Sequence, residues 1–380
     1  LVFFSINISM TILIIANTSW YLYNFRFGLI KSLVKRGYQI STLAPVDEFS
    51  INLENAGCRH IQLEMDNEGL NPINDLMMKR KLSEIYREIK PDLILHYTIK
   101  PVLYGSMAAA KLGIPFINNI TGLGTAFIKR NWVTWLVKRL YRLSQKNADY
   151  VFFQNADDKE LFGRDRLIPE NVPQEVISGT GIDTDHFNVR PYPEENHMTF
   201  LLIARVLWDK GVGEFVEAAK QLRLEFSDVR FQLLGFLDVL NRTAISRQQM
   251  QIWTEQGIID YLGETDDVRP YIAGADCVVL PSYREGLPRT LLEAASMGRP
   301  IIAADVTGCR EVVQHGVNGY LCKAKDTNDL AEKMNDMIKL STDERQKMGL
   351  RGRKKMKKNF DEKIIVQKIV NQIENILTAA

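Results

Sequence analysis

The chain has 380 residues, enough for two domains each with a sizeable core. A hydrophobic fraction of 46% and a charged fraction of 25% are those of an ordinary globular protein, and a net charge of +2 is too small to argue for nucleic acid. The four cysteines, Cys58, Cys277, Cys309 and Cys322, form no Cys-x-x-Cys pair, which suits a reducing cytoplasm rather than a zinc site or a disulfide framework.

Residues 1–9 are apolar but have neither a basic start nor a small-residue cleavage site. Met10, just before a strand at 11–16, therefore reads as the native start, or the extension as disordered. No run of eighteen apolar residues occurs, so no transmembrane helix is expected. From there strand and helix patterns alternate, the mark of an α/β fold with parallel sheets. A helix at 26–35 is closed by Gly37, and strands follow at 39–44 and 91–96. A helix runs from Pro101 to Lys111 and ends near Gly113, ahead of strands at 114–118 and 150–154. Residues 190–197, with Pro191 and Pro193, read as a linker. A second series of strands comes near Phe200 and at 230–234, 259–262, 277–280 and 301–303, and a last helix spans 361–377.

The densest motif lies in the second series. The apolar run at 276–282 reads as a buried parallel strand. It leads through Arg284-Glu285-Gly286-Leu287 into a helix with Pro288 in its first turn, Gly298 past its end and Pro300 beyond. No Ser, Thr, Asp or Asn stands at the N-cap, which leaves the first backbone N–H groups to take an anion. Glu285 sits in the loop, and Glu293 about a turn and a half into the helix. Gly286 lets a ligand approach the backbone closely. This set describes a site for a phosphorylated, hydroxyl-rich ligand. Upstream, a strand ending at Ala204 runs into Arg205-Val206-Leu207-Trp208-Asp209-Lys210-Gly211, and a helical pattern continues through Phe215, Ala218, Ala219 and Leu222.

The phrase from Leu280 to Ala295, continued through Gly298-Arg299-Pro300-Ile301-Ile302-Ala303, resembles the signature of the retaining glycosyltransferases of the GT-B fold, family 4. The resemblance implies an α/β protein of two Rossmann-like, doubly wound domains facing each other across a cleft. An acceptor-binding domain would span 10–185 and a nucleotide-sugar-binding domain 198–358, with a helix at 361–377 crossing back to the first. Glu285 would touch the donor sugar and Glu293 the ribose. The backbone between them, at Gly286, Leu287, Thr290 and Leu291, would hold the diphosphate, with Leu262 also on the donor. Arg205 and Lys210 would neutralise the diphosphate as the bond breaks, since fixed cations in a dry cleft stabilise growing charge better than water does. The family usually has Gly where Ala204 stands, a small-for-small change.

In the first series, His96 ends a strand at the edge where ligands of open sheets sit. The resemblance places it against the donor sugar. Lys100, followed by Pro101 at a helix start, is a candidate for an acceptor phosphate. The segments 96–101 and 118–127 are similar to transferases that extend undecaprenyl-diphosphate-linked sugars, and Gly69-Leu70-Asn71-Pro72 and residues 153–158 fit the same group. Asn17, Thr98, Lys100, Thr121 and Gly122 are the acceptor candidates. One departure is the loop Asn17-Thr18-Ser19-Trp20-Tyr21-Leu22-Tyr23-Asn24, where many members carry glycines near the donor phosphates. That argues for acceptor recognition there instead.

The resemblance thus implies a metal-independent transfer of GalNAc, GlcNAc or a related hexose from a nucleotide donor, UDP-linked, to a polyprenyl-diphosphate-linked sugar. No cofactor and no nucleic-acid partner are implied. Asp157-Asp158 and Asp266-Asp267 read as partners of helix dipoles rather than metal ligands. The stretch 129–143 carries Lys129, Arg130, Trp132, Trp135, Lys138, Arg139 and Arg142 among apolar residues at helical spacing. Such a helix suits a bilayer interface, and with it a cytoplasmic protein held peripherally at the inner membrane. The basic run at 351–358 adds attraction only if it shares that face. Two other readings stand beside this one: a GT-B UDP-sugar epimerase or hydrolase, and a non-catalytic nucleotide-sugar-binding protein. A dinucleotide enzyme fails on motif, because Gly122-Leu123-Gly124 has Phe127 where a third glycine belongs.

Overall fold

Two all-parallel sheets carry the computed structural model, which describes residues 10–65, 72–121, 132–193, 197–239 and 241–379. Unit 1 comprises the chain up to Thr180 together with the chain from Lys363 onward, and unit 2 is Gly181–Glu362. The unit 1 sheet has seven strands: β1 (Thr11–Ile15), β2 (Gln39–Ala44), β3 (Arg59–Gln62), β4 (Leu93–Tyr97), β5 (Phe116–Ile120), β6 (Tyr150–Phe153) and β7 (Gln174–Val176). Their order is β3-β2-β1-β4-β5-β6-β7. The unit 2 sheet has six: β8 (Met198–Ile203), β9 (Val229–Leu234), β10 (Asp260–Tyr261), β11 (Cys277–Leu280), β12 (Ile301–Ala304) and β13 (Gly319–Cys322). Their order is β10-β9-β8-β11-β12-β13. Strand order reverses between β1 and β4, and again between β8 and β11. Open parallel sheets bind ligands outside the C-terminal ends of strands at such points.

The central strands are apolar because helices cover both faces. Ile12, Leu13, Ile14 and Ile15 of β1 are fully buried, as are Val278 and Val279 of β11. Alternate residues go to opposite helix layers. Leu13, Ile15 and Ile94 pack with Met78, Leu82, Val102 and Val137, whereas Ile12, Ile14 and Leu95 pack with Leu22, Leu29 and Leu33. The helix Glu362–Ala379 joins that second layer through Ile365, Ile369, Ile373 and Leu377, spaced for one face. Lys368 reaches Glu175 at 2.6 Å and Arg36 reaches Gln367 at 3.0 Å, fastening its polar side to the same unit.

Three strands escaped the sequence pattern. β3, β7 and β13 are all sheet-edge strands, and β3 (Arg-His-Ile-Gln) and β7 (Gln-Glu-Val) lack any apolar run. The first helix begins at Ser19, earlier than expected, because Thr18 accepts from the Tyr21 N–H at 3.0 Å and caps it. Pro288 is the N-cap of the helix Arg289–Ser296 rather than part of its first turn.

Ile373 is fully buried in the unit 1 core. Ile373→Ala is expected to lower the unfolding free energy by about 2–5 kcal/mol. The fully surfaced Leu224→Ala should change it by less than about 0.5 kcal/mol. Urea unfolding measures both.

Candidate active site

In unit 2 the loops after β8 and β11 lie backbone against backbone. Gly211 has φ +74°, and a Cβ there would stand 2.2 Å from the Pro281 carbonyl oxygen. Only glycine permits that approach. The Tyr283 N–H donates to the Asp209 carbonyl at 2.9 Å, and the Ser282 hydroxyl to the same oxygen at 3.2 Å. The joined loops bring Lys210 Nζ to 2.5 Å from Glu285 Oε1, both side chains largely enclosed. Gly308 repeats the device, because a Cβ there would lie 2.1 Å from the Gly286 carbonyl oxygen. The space beside Gly286 itself is open.

The helix Arg289–Ser296 has no side-chain cap at its start. The Thr290 hydroxyl ties it to β8 by donating to the Ile203 carbonyl at 3.3 Å. Glu293 is 8% exposed and accepts from Arg289 Nε at 2.9 Å. Burial raises its carboxyl above the usual carboxylate range, and Arg289 opposes the rise. Arg205 is exposed and makes no ion pair among the described residues. Leu287 and Leu262 are half-buried, and the Leu262 N–H is taken by the Leu233 carbonyl at 2.9 Å. Leu291 is fully buried and its N–H bonds the Pro288 carbonyl, so its side chain serves the core.

One pair was not foreseen from the sequence. The Tyr283 hydroxyl donates to Glu214 Oε1 at 2.6 Å, which binds the Glu285 loop to the helix Val212–Arg223. The contact spans 69 positions and has no local pattern to announce it.

Unit 1 presents a different picture. His96 is fully buried, with Nε2 3.1 Å from the Tyr86 hydroxyl and Nδ1 3.0 Å from Asn118 Oδ1. Asn118 is itself oriented by its donation to Gln145 at 2.8 Å. Burial depresses the imidazole to about 3, with the Asn118 bond opposing, so the ring is neutral. A ring enclosed in this way offers no nitrogen to a donor sugar. The alternation of β4 turns His96 inward beneath the turn Pro101–Gly105, correcting the expectation that it faces the ligand edge. Lys100 is likewise enclosed, 3.4 Å from Asp75 Oδ1, and Asp75 also accepts from the Tyr104 hydroxyl at 2.8 Å. Its charge is therefore already answered within the protein.

Thr98 follows β4 with φ +65°, a backbone state that costs a β-branched residue about 1–3 kcal/mol. Among the described residues its hydroxyl is buried without a hydrogen-bond partner, as are the Tyr97 hydroxyl and Asn119 Oδ1 next to it in the sheet. Asn17 and Thr121 stand half-buried after β1 and β5 at the same sheet edge. Gly122, Lys129 and Arg130 lie outside the described residues, as does the Trp132 side chain. In the helix Trp132–Ser144, Trp135 is exposed with the Arg139 guanidinium 5.8 Å from its ring centre. Lys138 instead pairs with Asp165 at 2.8 Å, and Arg142 donates to the Asp165 carbonyl at 2.9 Å. Both contacts tie the helix to its own unit.

Of the acidic pairs, Asp157 and Asp158 start a helix that Asn155 caps, and Asp267 binds Arg269 at 2.7 and 2.8 Å. Among the described residues no three potential ligands gather into a metal-binding group.

Residues 197–339 match the family of glycosyl transferases group 1, and residues 11–155 match a family described as glycosyl transferase 4-like. The N,N'-diacetylbacillosaminyl-diphospho-undecaprenol alpha-1,3-N-acetylgalactosaminyltransferase of Campylobacter jejuni is 30% identical over 374 residues, covering 94% of this chain and 96% of that enzyme. The chain belongs to the family 4 glycosyltransferases. A second relative, the UDP-Gal:alpha-D-GlcNAc-diphosphoundecaprenol alpha-1,3-galactosyltransferase of Escherichia coli, is 24% identical and covers 75% of this chain and 73% of its own. Solved structures agree on the fold. A glycosyltransferase of Rickettsia africae superposes with a TM-score of 0.81 at 20% identity, covering 98% of this chain and all of that one. Anabaena HepE in complex with UDP-glucose gives 0.77 at 20% identity, covering 96% and 100%. The protein is thus a hexosyltransferase with the GT-B pair of sheets.

Glu293 supplies a pH test of its buried environment. A carboxyl raised in the folded state favours folding most below its unfolded pKa, and the benefit is lost as pH rises through the folded value. Glu293→Gln, which cannot ionise, should therefore gain in melting temperature relative to wild type as pH rises from 4 toward about 7. Parallel melts across that range would show the crossover, and a constant offset would contradict it.

Proposed function

We propose that this glycosyltransferase moves a sugar from a UDP-linked donor, held by unit 2, to a polyprenyl-diphosphate-linked saccharide recognised by unit 1. The observation that carries the donor assignment is the Lys210–Glu285 pair at 2.5 Å, with the exposed Arg205 on the same loop and the enclosed Glu293 on the following helix. Lys210 and Arg205 neutralise the diphosphate as it departs. The uncapped start of the Arg289 helix faces the phosphates with its dipole. Glu285 orients the sugar, and Glu293 accepts from the ribose hydroxyls. UDP is supported by the printed donor of the Escherichia coli relative and by the ligand of HepE. The lipid-diphosphate acceptor is supported by the names of both enzyme relatives. GalNAc is the first sugar to test, with GlcNAc and related hexoses after it.

The transfer proceeds with retention of configuration and needs no metal, since side-chain cations carry the charge. No described side chain is placed as a base, and a donor phosphate oxygen takes the proton from the acceptor hydroxyl. Asn17, Thr98 and Thr121 lie at one sheet edge and form the acceptor side, where the strained Thr98 holds an unused hydroxyl. His96 and Lys100 act as positioning residues: they brace the β4 end through Asn118 and Asp75. The aromatic and basic helix Trp132–Ser144 rests at the inner face of the cytoplasmic membrane, where a lipid-linked acceptor resides. No helix among the described residues is long and apolar enough to cross a membrane.

Arg205→Ala and Lys210→Ala should each weaken UDP binding, and their losses should be non-additive because both face one diphosphate. Calorimetric titration of UDP measures this. Glu293→Ala should cost donor affinity about 1–3 kcal/mol, whereas Glu285→Ala should lower kcat with a smaller change in KM. A Glu285 variant with near-normal turnover would remove the assignment. Turnover should survive EDTA, and loss that a divalent cation restores would overturn the metal-free mechanism.

A further inference from the structure

Three successive helical segments cover one face of the unit 1 sheet: Pro72–Ile89, the run from Pro101 to Leu112, and Trp132–Ser144. Each follows a strand of a parallel sheet, so each begins at the C-terminal strand edge. Each also has, in its first turns or just before them, a bulky apolar side chain turned outward. Leu76 is 69% exposed and Met77 65%, Ile99 stands exposed just before Pro101, and Trp135 is 61% exposed. The packing of the first helix does not explain Leu76 and Met77. Its buried stripe is Met78, Leu82 and Tyr86, and Leu76 lies on the opposite side of the helix.

The same edge is apolar on the other side of the sheet, where Trp20, Val46 and Ile51 are exposed in or before the first turns of their helices. Elsewhere on unit 1, the exposed large hydrophobics among the described residues are Met10, Leu143 and Ile364. A monomer rarely gathers so much outward apolar surface at one edge without a partner. Cations accompany it. Lys81 follows Met77 by one turn, Arg80 follows Leu76 by one turn but pairs with Glu84 at 3.1 Å, and Arg139 follows Trp135 by one turn and lies against its ring. The helix Trp132–Ser144 contains no acidic residue.

We propose that the starting ends of these helices form one docking surface for an anionic bilayer, with Leu76 and Met77 as a second insertion point on the same helix layer as Trp135. The proposal rests on the reading that the acceptor is membrane-linked. Its chemistry is that of an interfacial surface. Leu76 and Met77 enter the acyl boundary, Trp135 lies at headgroup level, and Lys81 and Arg139 meet lipid phosphates. Two insertion points on one rigid layer do more than one helix could. They fix the orientation of unit 1, with the strand edge bearing Asn17, Thr98 and Thr121 turned to the headgroup layer.

The test is flotation of the full chain with vesicles of phosphatidylethanolamine and phosphatidylglycerol. The double variant Leu76→Ser/Met77→Ser and the single variant Trp135→Ser should each lose about tenfold or more in partitioning. Leu224→Ser, at a side chain 89% exposed in unit 2, should bind as wild type does. Unfolding midpoints and UDP affinity should be unchanged in all three. If the double variant floats like wild type while Trp135→Ser does not, the second insertion point is wrong and the membrane reading survives. If wild-type protein does not float at all, the membrane reading falls and this surface falls with it. If wild type sediments as a dimer that Leu76→Ser/Met77→Ser dissolves, the face belongs to a second copy of the chain, and the proposal is overturned.

Discussion

The contact of Gly211 with Pro281 is the constraint on which the proposed donor site depends. A side chain at 211 would drive the loops after β8 and β11 apart, because the nearest atoms are backbone and cannot yield. With glycine there, two residues 75 positions apart become a charged pair at 2.5 Å. The Asp209 carbonyl then gathers donors from Ser282 and Tyr283, and Tyr283 reaches on to Glu214. The Lys210–Glu285 pair is therefore held by backbone geometry. Such preorganisation is what electrostatic stabilisation of a departing diphosphate requires, since the cations need not move as charge grows.

Unit 1 solves a different problem. Its polar residues near the end of β4 are mostly spent on one another. His96 is shared between Tyr86 and Asn118, and Lys100 is answered by Asp75. What remains unspent lies one residue further along, in the strained Thr98 with its unpartnered hydroxyl and in the neighbouring Tyr97 and Asn119. Strain and unmet hydrogen bonds persist only where the surrounding structure holds them.

The parts of this architecture that could be read from the sequence share a physical cause. β1, β4, β8 and β11 are buried on both faces, so their apolar runs are continuous and flanked by turn residues. β3 and β7 sit at sheet edges and carry polar residues, so nothing local marks them as strands. Glu285 and Glu293 were legible because loop, glycine and helix follow in one short phrase. Lys210 was legible as a candidate, but its partner was not, because their meeting is a property of two loops. His96 shows the limit most clearly. Its place at the end of β4 could be read, yet its direction depends on which face of the sheet position 96 falls, and a shift of one residue reverses that. Lys138 and Arg142 had the composition of a membrane face, but Asp165 lies close enough to claim both.

Transfer to a lipid-linked sugar can be read from the products themselves. Purified protein would be incubated with radiolabelled UDP-GalNAc and a polyprenyl-diphosphate-linked saccharide, and the products resolved by thin-layer chromatography and mass spectrometry. Such transfer predicts a lipid extended by one α-linked hexosamine, with UDP released in equal amount and no product sugar without acceptor; if GalNAc is not the native sugar, another UDP-hexose in the same assay gives this result. Free or epimerised sugar formed equally well without acceptor, from any of these donors, would contradict it.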